Sequence, residues 1–122
     1  MNHPLSHYLE QMPLVAILRG ITPAESLDVV ACLLDAGIRI VEVPLNSPDP
    51  FDSIKLIADK FGTQMLVGAG TVLNAEQVKD VAAAKGRLIV SPNTNAAIIK
   101  SAVALEMSCV PGAATPSEVF TA

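Results

Sequence analysis

Five times along the chain a short aliphatic run is followed by a segment with helical start signals, at a spacing of roughly 20 to 26 residues, and this repeat is the strongest constraint on the fold. The runs are Leu14 to Leu18, Ile38 to Leu45, Gln64 to Val72, Leu88 to Asn93 and Ser108 to Ala113. β-Branched residues crowd them and Gly or Pro brackets them, so they read as strands. Strands that are apolar on both faces and alternate with helices predict an α/β fold, a parallel sheet covered by helices through right-handed crossovers. Two architectures fit: a complete doubly wound sheet, or the first five βα units of a (β/α)8 TIM barrel.

The intervening helices are punctuated by their own signals. Thr22-Pro23-Ala24-Glu25 and Thr115-Pro116-Ser117-Glu118 are both capping boxes with proline at the first helical position. The first helix carries Leu27, Val30, Ala31 and Leu34 on one stripe and is expected to stop at Gly37. The second, from about Pro50 to Phe61, buries Ile54, Ile57 and Ala58; Asn74 opens the third, which Gly86 ends, and the fourth runs from about Asn95 to Glu106. Residues before Leu14 read as a leader.

The carboxyl ends of the strands, where both architectures place their chemistry, carry Arg19, Glu42 with Asn46, Thr71, Ser91 with Asn93, and Thr115. A doubly wound sheet concentrates its site at one switch point, whereas a barrel uses nearly every strand end. The spread of polar residues over all five ends therefore favours the barrel. A helix that opens at Thr115 and breaks off at Ala122 favours it too, and residues 1–122 are expected to be the N-terminal part of a single barrel domain.

Composition excludes several function classes. A chain of 122 residues, 51% hydrophobic and 16% charged, has the profile of a globular domain. A net charge of −4 with scattered Lys and Arg argues against nucleic acid or an anionic membrane as partner. No apolar run approaches the ~20 residues of a spanning helix and the N-terminus lacks a secretory layout, which predicts a cytoplasmic protein. Cys32 and Cys109 read as buried small hydrophobes rather than redox groups. His3 and His7, four apart, have no third ligand nearby, so no metal and no cofactor is expected.

Glu42 is the residue that a structural role explains least. It stands in the middle of Ile38-Arg39-Ile40-Val41-Glu42-Val43-Pro44-Leu45, and strand alternation puts it on one face with Ile38 and Ile40. A carboxylate there is costly unless it is paired or used. The plain alternative is an acid at a strand end that points into water.

Ile17-Leu18-Arg19-Gly20, Val41-Glu42-Val43-Pro44-Leu45-Asn46-Ser47-Pro48, Val67-Gly68-Ala69-Gly70-Thr71-Val72-Leu73, Ser91-Pro92-Asn93 and Pro111-Gly112-Ala113-Ala114-Thr115-Pro116-Ser117-Glu118 occur in this order. Together they resemble the 2-keto-3-deoxy-6-phosphogluconate and -galactonate aldolases, over essentially all of the chain after the leader. The resemblance implies a (β/α)8 barrel, a homotrimer, that cleaves a phosphorylated keto-deoxy sugar acid to pyruvate and glyceraldehyde 3-phosphate through a lysine Schiff base. It also implies that Glu42 handles protons, with a pKa raised by desolvation from Ile38 and Ile40.

The gluconate branch generally reads Glu-Val-Thr-Leu-Arg-Thr at the second motif, its arginine gripping the substrate carboxylate. This chain has Asn46 where that arginine would stand and Arg19 at the end of the first strand, and it resembles the galactonate branch in both respects. The alternative for Arg19 is a rim ion pair with Glu42. Thr71 matches a position that contacts the pyruvyl end, Gly70 would let substrate approach the backbone, and Pro92 matches a site-lining position. Gly68 reads equally well as a glycine of strand–helix packing. Asn46, Asn93 and Ser91 are picked by location alone, against an equal case for turn capping.

No lysine here fits the Schiff-base role. Lys55, Lys60, Lys79, Lys85 and Lys100 all fall on helices or their ends, and in the family the required residue lies on the next strand, past Ala122. The 122 residues alone are thus expected to be inactive, and to self-associate through unpaired flanks at the third and fifth strands. Two other classes compete: a phosphosugar isomerase or epimerase on a barrel, and a non-enzymatic receiver-like α/β module.

Overall fold

A computed structural model describes residues 4–122; His3, one half of the histidine pair, lies outside them. The order of elements is α1 (Pro4–Gln11), β1 (Val15–Ile17), α2 (Pro23–Asp35), β2 (Ile40–Pro44), α3 (Pro50–Phe61), β3 (Leu66–Gly70), α4 (Ala75–Ala83), β4 (Leu88–Ser91), α5 (Ala96–Ala104), β5 (Ser108–Pro111) and α6 (Pro116–Thr121). All four strand pairs are parallel and the sheet order is β1-β2-β3-β4-β5. Each strand is laid beside its predecessor in one direction, so the sheet has no switch point. That order is the one a barrel requires, and it removes the doubly wound and receiver-like alternatives. It also corrects an expectation: β3 is paired on both sides, and the open flanks are β1 and β5. Cys32, expected to be buried, is exposed on α2, because two positions beyond the buried Val30 a helix turns to its solvent side.

The two faces of the sheet bury different partners. Val41, Val43, Val67, Ala69 and Ile89 point outward and pack with Val30 of α2, Ile54, Ile57 and Phe61 of α3, Val78 and Val81 of α4 and Ile98 of α5. Each such Val, Ile or Phe side chain contributes about 1.5–3 kcal/mol on burial, so this layer is a main source of stability. Ile40, Leu66 and Leu88 point the other way, and Leu5, Tyr8 and Leu9 of α1 pack on them. The segment read as a leader is therefore a helix that closes the inner face at the end where the strands begin. Its apolar residues at 5, 8 and 9 have helical spacing, but a run of eight residues is too short for periodicity to stand out.

Helix ends fix where the strands start. At the end of α2, Gly37 takes a left-handed φ of 98°, Gly37 N–H donates to the Leu34 carbonyl (3.0 Å) and Ile38 N–H to that of Leu33 (2.9 Å), a Schellman closure. Ile38 consequently packs in the outer, helix-side layer. It is not an inward neighbour of Glu42, because alternation begins only at Ile40. At the end of α4 the left-handed residue is Lys85 (φ 66°) rather than Gly86. The box at Thr115 forms as expected, Thr115 Oγ1 accepting from Glu118 N–H (3.2 Å) and Glu118 accepting from Thr115 N–H (3.0 Å). At Thr22 the hydroxyl instead donates to the Glu25 carboxylate (2.6 Å), which also accepts Thr22 N–H (3.2 Å).

Candidate active site

Glu42 sits on the inner face of β2, opposite Ile17 of β1 and Gly68 of β3 in register. It is only 5% exposed, and its Oε2 has no hydrogen-bond partner. Water-poor surroundings penalise the charged form and raise its pKa above the ordinary value. The positive charge of Arg19 and the Gly70 backbone oppose this without cancelling it. A buried acid with a free oxygen and a raised pKa is suited to taking and returning a proton.

Two glycines of β3 shape this spot for different reasons. A side chain on Gly70 would collide with the Glu42 carboxylate, so the space that the sequence suggested for substrate is filled by the acid itself. A side chain on Gly68 would strike the Leu88 carbonyl and Cβ, so Gly68 serves close approach of neighbouring strands and not strand–helix packing. Just past Gly70, Thr71 holds a φ of 56°, a left-handed conformation that is rare for a β-branched residue and is found most often where function demands it.

Arg19 follows β1 directly. Leu18 N–H donates to the Glu42 carbonyl (2.9 Å), tying the end of β1 to the strand that carries the acid. Arg19 acts on Glu42 through its charge, yet the two form no contact pair; the ion pairs among the described residues join Asp59 to Lys55 (2.6 Å) and to Lys85. The guanidinium is exposed and free to meet an external anion. Arg19, Glu42, Gly70 and, next to it in the chain, Thr71 thus form one group.

The remaining positions are not part of that group. Asn46 is exposed in the turn after β2. Pro92 and Asn93 are exposed and line a cleft of about 250 Å³ with Thr94, Gly112, Ala113 and Glu118, none of them a member of the Glu42 group. Ser91 Oγ donates to the Asn93 carbonyl (3.0 Å), which is turn chemistry. Ser47, not singled out in the sequence, is buried, and its Oγ accepts Gly20 N–H (3.0 Å) across 27 positions of chain. Its only sequence signal is a small hydroxyl between Asn46 and Pro48 in the second motif.

No lysine stands at the carboxyl end of a strand: Lys55 and Lys60 are on α3, Lys79 on α4, Lys85 just after it and Lys100 on α5. Among the described residues no cluster of His, Cys, Asp or Glu could hold a metal ion, and no helix is long and apolar enough to cross a membrane.

The chain is similar to 2-dehydro-3-deoxy-6-phosphogalactonate aldolase of Escherichia coli (strain K12), 50% identical over 112 residues that make up 92% of this chain and 55% of that protein. It is 34% identical over 88 residues to the KHG/KDPG aldolase of the same organism, covering 72% of this chain and 41% of that one. The solved native KDPGal structure superposes with a TM-score of 0.89 at 50% identity, over 91% of this chain and 54% of the other. The chain spans about half the length of the relatives it matches, and its five units correspond to part of an aldolase barrel. The family model for KDPG and KHG aldolase matches residues 5–122, which include the Arg19, Glu42, Gly70 and Thr71 group, and the chain belongs to that aldolase family.

Proposed function

We propose that these residues form the N-terminal part of a single (β/α)8 barrel domain that cleaves 2-dehydro-3-deoxy-6-phosphogalactonate to pyruvate and glyceraldehyde 3-phosphate. The observation that carries this is the buried Glu42 carboxylate, its Oε2 without a hydrogen-bond partner, lying in the field of the exposed Arg19. The placement of the carboxylate grip on Arg19, with Asn46 in the turn of the second motif, favours the galactonate over the gluconate epimer, as does the higher identity to the phosphogalactonate enzyme.

Support for the larger barrel comes from the inner face. Val15 and Ile17 of β1 and Val110 of β5 are exposed, Ile17 by 59%, and the sheet edges at β1 and β5 are open. Further strands would pair those edges and bury that apolar surface. All five lysines are on or beside helices, and the family resemblance assigns the Schiff-base lysine and the phosphate site to those further strands.

In this scheme the lysine amine adds to the C2 ketone and water leaves, giving an iminium. Arg19 holds the substrate carboxylate through paired N–H donors, and Thr71 lies at the pyruvyl end. Glu42 serves as the proton shuttle: the C4 hydroxyl loses its proton, the C3–C4 electrons pass to the iminium, and glyceraldehyde 3-phosphate departs from an enamine. A proton returned to C3 and hydrolysis of the imine release pyruvate and restore the amine. Asn46, Pro92 and Asn93 are assigned to the outer rim of the same mouth. A cytoplasmic homotrimer is part of this reading, on the strength of the family resemblance.

The test uses the complete protein. Borohydride should trap pyruvate on it covalently, and pyruvate should be released faster from the galactonate than from the gluconate epimer. Absence of trapping would leave an isomerase or epimerase; a preference for the gluconate epimer would overturn the substrate. The 122 residues alone should be inactive.

A further inference from the structure

The turn that carries Arg19 is fastened to β2 on both sides of that residue. Leu18 N–H donates to the Glu42 carbonyl (2.9 Å), and Gly20 N–H donates to Ser47 Oγ (3.0 Å). Gly20 makes the second bond possible by adopting φ 79°, which a side chain would disfavour. Ser47 is itself fixed, since it is buried and its N–H donates to the Pro44 carbonyl (2.9 Å) in the turn that ends β2. Arg19, by contrast, is exposed, and no side-chain hydrogen bond or ion pair holds its guanidinium among the described residues.

We propose that Ser47 is a positioning residue: its hydroxyl sets the backbone from which Arg19 reaches the substrate carboxylate, in register with Glu42. Both anchors of the Arg19 turn lie on the segment that carries the acid, so the backbone of the cation is tied to that of the proton shuttle. A flexible arginine magnifies any tilt of its backbone, and a guanidinium that misses the carboxylate weakens its grip on the substrate. Losing the hydroxyl leaves Gly20 N–H without its acceptor and frees one side of the turn. This inference rests on the aldolase reading and names a further residue of the same site.

Kinetics of the complete protein on the phosphorylated keto-deoxy sugar acid test it, with Ser47→Ala, Ser47→Thr, Arg19→Met and the Ser47→Ala/Arg19→Met double variant. Ser47→Ala should raise KM about tenfold with kcat changed by less than about threefold, and Ser47→Thr, which keeps the acceptor, should restore KM. In the Arg19→Met background Ser47→Ala should add nothing to KM, because the group it positions is gone. Should Ser47→Ala not fold, Ser47→Cys, nearly isosteric and a weak acceptor, carries the same comparison. An unchanged KM, a Ser47→Thr as impaired as Ser47→Ala, or full additivity with Arg19→Met overturns the role of Ser47 alone. A wild-type protein that releases no pyruvate overturns the aldolase reading, and the role of Ser47 with it.

Discussion

The carboxylate of Glu42 fills the space that a side chain at Gly70 would take. The glycine is thus an accommodation for the acid, and the acid is aimed by a strand other than its own. A methyl group at residue 70 would meet only the far end of a flexible side chain, which can swing away. Gly70→Ala should therefore lower stability by less than about 1 kcal/mol while reducing kcat/KM by ~100-fold or more, because the carboxylate leaves its place. Gly68→Ala makes the contrast, since the obstacle there is the Leu88 backbone, and a loss of about 3 kcal/mol is expected. Denaturant melts of the two variants, read beside kinetics, check both halves.

Burial raises the pKa of Glu42, so the fold binds a proton there more tightly than the unfolded chain does. Stability from this group is greatest below the ordinary glutamate pKa and declines as pH rises through the folded value. Glu42→Gln should then be the more stable protein at neutral pH, by on the order of 1 kcal/mol, with the gap closing as the solution is acidified. Thermal melts at a series of pH values decide it; equal melting temperatures at neutral pH would contradict the desolvation of this carboxylate.

Arg19 pulls the same pKa downward. Replacing it by Met removes that opposing charge, so the acidic limb of the kcat/KM profile should move to higher pH, and the substrate should bind about 10- to 100-fold more weakly. A limb that stays in place, or moves down, would mean that the guanidinium exerts no field on the acid.

Thr71 stands at φ 56°, where glycine is at ease and threonine is not. Thr71→Gly relieves that strain, of order 1–3 kcal/mol, while adding about 1 kcal/mol of unfolded-state entropy. The variant should be as stable as the wild type or more so, and should lose activity if the hydroxyl meets the pyruvyl end. A clear drop in stability would show that the threonine is held there for packing alone.

The five strand–helix units and their helix starts were legible in the chain because they rest on local chemistry: apolar runs for strands, Asn74 and the Thr115 box for caps, and Gly37 for a left-handed exit. So was Glu42, as a charge in an aliphatic strand. The role of α1 was hidden, since eight residues reveal their buried stripe only once Ile40, Leu66 and Leu88 are there to cover. Strand alternation alone would turn Ile38 inward, but the Schellman closure, not the strand, governs it.

Sequence by itself determined the α/β class and singled out Glu42 and Arg19, since each follows from residue type and neighbours a few positions away. Only the tertiary structure decided between the two architectures, because strand order is a matter of which backbones hydrogen-bond across crossovers of a dozen or more residues. It alone also joined Gly70 to Glu42 and Ser47 to Gly20, contacts between residues 27 or 28 positions apart whose meeting depends on sheet register and leaves no local trace in the chain.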